Sequence, residues 1–259
     1  MTLEHPSHRL DTIIAAKRER LQERRAKTPT AAVWALAEMQ TPPHPALSMV
    51  TGGETIAVIG QITYGEVYDP VGAAMRYVRA GVDAVALLTD SPTYYSGLED
   101  MPLVARAIKC PILYQDYLLD GYHVTEARAA GASAVTLYAS VLNPLDLRRA
   151  LSLAQRWRMT TLMQVETEAH MQQVRELSPH IVMIGSPDTP DFAHDLALFK
   201  HLRPSVPYNT HCMLLRCLTT LDEVTAAVAV EVDAVIVNDA LLSDPAIATQ
   251  FYKLIAPTA

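Results

Sequence analysis

The sequence predicts an α/β protein, a single-domain (β/α)8 TIM barrel with an extra N-terminal helix. Three observations lead there. The chain has 259 residues, and one such barrel commonly takes about 250. A six-residue pattern, Ala80-Gly81-Val82-Asp83-Ala84-Val85, returns as Ala130-Gly131-Ala132-Ser133-Ala134-Val135 and as Val230-Glu231-Val232-Asp233-Ala234-Val235. Eight short apolar runs can also be counted along the chain.

The echoed pattern is a helix end followed by a strand start. Its spacings of 50 and then 100 residues are multiples of the roughly 25 residues that one βα unit occupies. The first element is a helix over 8–28, with Leu10, Ile13, Ile14, Lys17 and Leu21 at helical spacing, while Lys17, Arg18, Arg20, Arg24, Arg25 and Lys27 make a basic run read as a solvated helix face. Residues 41–54, with Pro42, Pro43, Pro45, Gly52 and Gly53, read as a connector. The extension and connector thus take 1–50, and the barrel 51–259. Strands follow at 56–61, 84–89, 112–115, 134–138, 161–165, 181–185, 209–215 and 234–237, short and mostly apolar as buried parallel strands are. Helical patterns lie between them at 71–80, 101–108, 124–130, 146–156, 168–177 and 222–230. A doubly wound open sheet is the rival architecture.

Composition limits the functional classes. Half of the residues are hydrophobic, which supplies a core, and the net charge of −7 argues against nucleic acid, whose phosphates are held by clustered Lys and Arg. Cys110, Cys212 and Cys217 lack CxxC spacing and suit a reducing compartment, so a cytoplasmic location is expected. No run approaches the roughly 18 apolar residues of a membrane span. No cofactor, metal or membrane contact is expected, and the partner class is a small-molecule ligand at the C-terminal face of the barrel, with room for an unidentified protein partner.

The stretch Leu10-Asp11-Thr12-Ile13-Ile14-Ala15-Ala16-Lys17, then Leu88-Thr89-Asp90, Gly97-Leu98-Glu99-Asp100, Pro111 to Tyr117 and Asp120 to Ala132, resembles indole-3-glycerol phosphate synthase in order and spacing. That family decarboxylates and cyclises a carboxyphenylamino-deoxyribulose phosphate in the tryptophan pathway. The resemblance spans nearly the whole chain, yet several implied site positions hold other residue types. Val58 and Gly60 stand where the family's first-strand Glu and Lys are implied, followed by Thr63-Tyr64. Gln115 falls at the general-acid lysine, before Asp116-Tyr117, and Gln164 at the general-base glutamate, with Glu166 two residues on and therefore on the same strand face. Pro187 falls at the sixth-strand asparagine, Leu215-Arg216-Cys217 at the Glu-Ser-Gly of the seventh strand, and Asn238-Asp239 at the phosphate-binding Gly-Ser.

Two functional readings follow. In one, the barrel is a silenced or repurposed homologue, a pseudoenzyme whose mouth, with Thr63, Tyr64, Tyr114, Tyr117, Tyr138, Gln115 and Gln164, suits a neutral, hydrogen-bonding ligand. In the other, it is an active carboxy-lyase of the family type that uses the displaced groups Glu166, Asp116, Glu99 and Arg216. Asp239 is expected to repel a phosphate unless Arg216 pairs with it, and that ion pair is the favoured arrangement. His211, Cys212 and Cys217 are read as core residues rather than a zinc set, and Asp188, Asp191, His194 and Asp195 as a solvated turn.

Overall fold

The computed structural model describes residues 6–46, 50, 55–62, 68–89, 97–187 and 191–256. Two helices, α1 (Pro6–Lys27) and α2 (Thr30–Met39), precede β1 (Ala57–Ile62). Then follow α3 (Pro70–Ala80), β2 (Ala84–Leu88), α4 (Gly97–Ala107), β3 (Ile112–Gln115), α5 (Gly121–Ala129), β4 (Ala134–Tyr138), α6 (Pro144–Arg156) and β5 (Thr160–Val165). The last part comprises α7 (Glu168–Arg175), β6 (Ile181–Ile184), α8 (Phe192–Leu202), β7 (His211–Leu218), α9 (Leu221–Val228), β8 (Ala234–Val237), α10 (Asp239–Leu242) and α11 (Pro245–Ile255). All eight strands pair in parallel and in sequence order, and β8 closes on β1 through Ala57 opposite Ala234. The barrel prediction holds, and the open-sheet rival is excluded by that closure.

Alternation along the strands separates two cores. Ala57, Ile59, Ala86, Leu113, Leu162 and Met183 fill the barrel lumen, with Ala46 and Val50 of the connector joining the same cluster. The alternate residues, among them Val58, Val85, Tyr114, Val135 and Val182, face the helices. The echoed pattern has a backbone cause, because Gly81, Gly131 and Glu231 all have positive φ, at 95°, 100° and 58°. Each ends its helix in a left-handed turn, where only glycine avoids a steric cost.

Polar residues start most of the helices. Asp69, Asp120, Asn143, Thr167, Asp191, Thr220 and Asp244 each accept from a first-turn N–H, and Thr220 forms a reciprocal capping box with Glu223. Four of the helices lie outside the sequence expectation, α10 and α11 after the last strand and two earlier ones. Residues 30–39 form α2, which packs on α5 and sets Trp34 4.6 Å from Trp157. Residues 192–202 form α8, so the expected solvated turn is corrected: Asp191 caps the helix and Asp195 lies wholly buried within it. Asp188 lies outside the described residues.

Candidate functional site at the barrel mouth

In a parallel barrel the C-terminal strand ends build the site, and inward residues near those ends define its floor. Parity with the lumen cluster turns Gln61, Gln115 and Gln164 inward, and all three are buried. Gln61 Nε2 donates to Gln115 Oε1 at 2.5 Å. Gln164 is fully buried, donates through Nε2 to the Gly185 carbonyl at 2.8 Å, and accepts through Oε1 from the Ser140 hydroxyl at 2.9 Å. A carboxylate cannot play both of those roles, since it only accepts. Beside the amides, the Tyr117 and Tyr138 rings stand 4.7 Å apart. Burial, and then the neighbouring Tyr117 and Asp116, push the Tyr138 phenol well above its ordinary range.

Gln61 was missed by the sequence reading, which placed the first-strand contacts at Val58 and Gly60. Period-two alternation from Ala57 and Ile59 was the signal that finds it. Gly60 is corrected from ligand contact to packing position: it turns outward, and a Cβ there would come within 2.6 Å of the Tyr77 ring. Thr63 and Tyr64 lie outside the described residues. Tyr114 also faces out of the lumen, into the helix layer.

Asp116 lies behind the mouth. Lys17 of α1, itself 0% exposed, places Nζ 2.5 Å from Asp116 Oδ1. Thr89 and Tyr114 donate hydroxyls to Oδ2 at 2.8 and 3.1 Å, and His123 Nε2 lies 3.6 Å away. Burial alone would raise the carboxyl, but Lys17 and His123 overturn that effect and hold it well below the ordinary carboxylate range. Asp116 is therefore corrected from displaced proton carrier to structural anion. Lys17 likewise leaves the solvated helix face for the interior, while Arg24 extends the cluster by donating to Glu126 at 2.9 Å.

Arg216 is the next correction. It turns outward from β7, with Nη2 and Nε 2.5 and 2.7 Å from Asp195 Oδ2, while the Ser186 N–H donates to Oδ1 of the same carboxylate. The expected pair with Asp239 does not form. Asp239 instead accepts from Ser243 and lies 3.7 Å from exposed Arg76. Asn238 caps α10 by accepting from the Ala240 N–H. An irregularity in β7 between Met213 and Cys217 sets the register here, and Leu215 and Cys217 pack against the lumen cluster. Burial pushes the Cys217 thiol up to about 12, so it is neutral.

Glu166 follows the last residue of β5 and is half-buried, Pro187 is half-buried just beyond β6, and Glu99 is exposed in the first turn of α4. None of the three makes a hydrogen bond or ion pair with Gln115 or Gln164. His211 turns to Asp233 at 3.4 Å, and Cys212 lies in the helix-facing core while Cys217 faces the lumen, so they do not converge. Among the described residues, no group of three or more His, Cys, Asp or Glu is placed to hold a metal, and no helix is long and apolar enough to cross a membrane.

Known proteins share this arrangement of chain and barrel. The family profile described as indole-3-glycerol phosphate synthase matches residues 10–254. Proteins named indole-3-glycerol phosphate synthase from Leifsonia xyli subsp. xyli and a Nocardioides species are 28% and 30% identical, over 94% and 91% of this chain and 97% and 93% of theirs. A crystal structure of 3-hexulose-6-phosphate synthase superposes with a TM-score of 0.61 at 18% identity, covering 78% of this chain and 100% of that one, a likeness of fold alone. With the family profile matched across the whole barrel and relatives of that name aligned nearly end to end, the chain belongs to the indole-3-glycerol phosphate synthase family.

Proposed function

We propose that this family member works at its C-terminal barrel mouth, and that the mouth is organised to bind a neutral, hydrogen-bonding small molecule rather than to move protons. The observation that carries this is Gln164. Its amide is sealed at 0% exposure between the Gly185 carbonyl and the Ser140 hydroxyl. Gln115 is likewise occupied by Gln61. A general acid or base in place is worth about 10²–10⁴-fold, and an amide supplies neither. The three cysteines are unpaired, which agrees with a reducing, cytosolic setting.

A second reading has its own support. The family profile matches residues 10–254, and relatives named indole-3-glycerol phosphate synthase align nearly end to end. By descent, this favours a decarboxylating carbon–carbon lyase of tryptophan biosynthesis, and the comparisons weigh more for it than for a silent barrel. With Asp116 and Arg216 committed to ion pairs, Glu166 and Glu99 are the described displaced groups that this reading retains.

Ligand-dependent thermal denaturation tests the first reading, because a ligand that binds only the folded state raises its stability with concentration. Neutral polyhydroxy or amide metabolites are expected to raise Tm, and Gln115→Leu to abolish the rise. A rise confined to sugar phosphates and lost in Gln115→Leu contradicts it.

A further inference from the structure

The opposite end of the barrel holds a second feature. A cavity of about 300 Å³ lies under the N-terminal ends of β3 and β4, between them and the connector, bounded by Ile112, Ser133, Gly131 and the segment from Gln40 to His44. That volume suits a small metabolite. Two guanidinium groups line it, Arg106 of α4 and Arg128 of α5. No Asp or Glu does.

Arg128 is the informative residue. It is 4% exposed, and its hydrogen bonds go to backbone carbonyls only, those of Thr41 and Ala132. Among the described residues it has no ion pair. Burial lowers its proton affinity, and no carboxylate offsets that effect. A buried cation without a counter-ion is costly to keep, and such groups are ordinarily paired. Elsewhere in this fold the buried Lys17 meets Asp116, and even the half-buried Arg216 meets Asp195. Exposed Arg106, on the neighbouring helix, also makes no ion pair among the described residues. The cavity's thiol, Cys110, adds no negative charge, since burial pushes it up to about 11.

We propose that this cavity is a binding site for a small oxyanion ligand, a phosphate or carboxylate group held between Arg106 and Arg128, at the end of the barrel away from the mouth. Planar guanidinium forks match both groups in geometry. Gln40 and His44 border the same space and offer further polar contacts. The site is independent of the function proposed for the mouth.

Calorimetric titration of the full chain with inorganic phosphate, and separately with succinate, at constant ionic strength tests it. Saturable binding of at least one is expected, and preference between them identifies the anion class. Arg106→Gln, an exposed change that leaves the fold alone, should weaken that binding about tenfold or more. Arg128→Gln should do the same, and phosphate should slow alkylation of Cys110. Gln115→Leu at the mouth should leave the affinity unchanged. Absence of saturable binding by either anion, or binding indifferent to Arg106→Gln, overturns the proposal.

Discussion

Lys17 shows how one residue can be legible and misread together. It falls in the apolar stripe with Ile14 and Leu21, and also in a run of basic residues, and charge suggested solvent where spacing indicated the interior. Burial wins because Asp116 and its hydroxyl donors are waiting on the barrel. Removing one partner of a buried pair costs about 3–5 kcal/mol, so Lys17→Met should lose that much at pH 7 in denaturant unfolding. The Asp116 carboxyl is depressed in the folded state, so its contribution is complete above the ordinary value of 3.8 and fades as pH falls through the folded value. The gap between wild type and variant should therefore be flat near neutrality and narrow below about pH 4. A gap that widens in acid contradicts the assignment.

Gln164 makes the matching case at the mouth. Its donor satisfies Gly185 and its acceptor satisfies Ser140, so Gln164→Glu faces an oxygen with an oxygen. An unsatisfied buried group costs about 1–3 kcal/mol, and equilibrium unfolding should register that loss even though the change supplies the residue type that the resemblance implies there. Unchanged stability would mean that the amide is not what the site requires.

Elements were more legible than residues. Seven of the eight predicted strands lie within one residue of those observed at both ends; the seventh begins two residues later and runs on to Leu218 through its irregularity. Such a bulge leaves no mark in an apolar run. The helix α2 was unread because its sequence, TAAVWALAEM, follows a proline and lacks a side-chain cap, and α8 was hidden by acidic residues that cap and pair rather than solvate. The helix α5 buries nearly all of its residues because the barrel lies on one side and α1 and α2 on the other, with Tyr122 meeting Leu21 and Val33. Helix ends carry a prediction of their own. Glu231 occupies the left-handed position that glycine holds in the two sister repeats. Since that conformation costs a non-glycine residue about 1 kcal/mol or more, Glu231→Gly should stabilise by about 0.5–1 kcal/mol in a chemical melt. Destabilisation would show that Glu231 makes a compensating contact.

At the scale of the molecule, the repeat and the parallel topology followed from patterning, because a buried parallel strand has few ways to be written in sequence. The site was less accessible. The family resemblance suggested positions, but it is parity that separates Gln61 from Gly60 and that turns Arg216 to the outside of the barrel. No sequence pattern told which partner Arg216 would take, since Asp195 lies 21 residues away and meets it only through the packing of α8 on β7. The result is a barrel with neutral amides at one end and an uncompensated arginine at the other.

The most direct test of that picture is steady-state turnover of the family's carboxyphenylamino-deoxyribulose phosphate by the wild-type chain, followed by indole fluorescence from pH 6 to 9. An amide-lined mouth predicts turnover more than a hundredfold below an ordinary enzyme's roughly 10 s⁻¹, with no bell-shaped pH dependence. Turnover within a hundredfold of that rate, with an acid and a basic limb, would contradict the account and establish the carboxy-lyase.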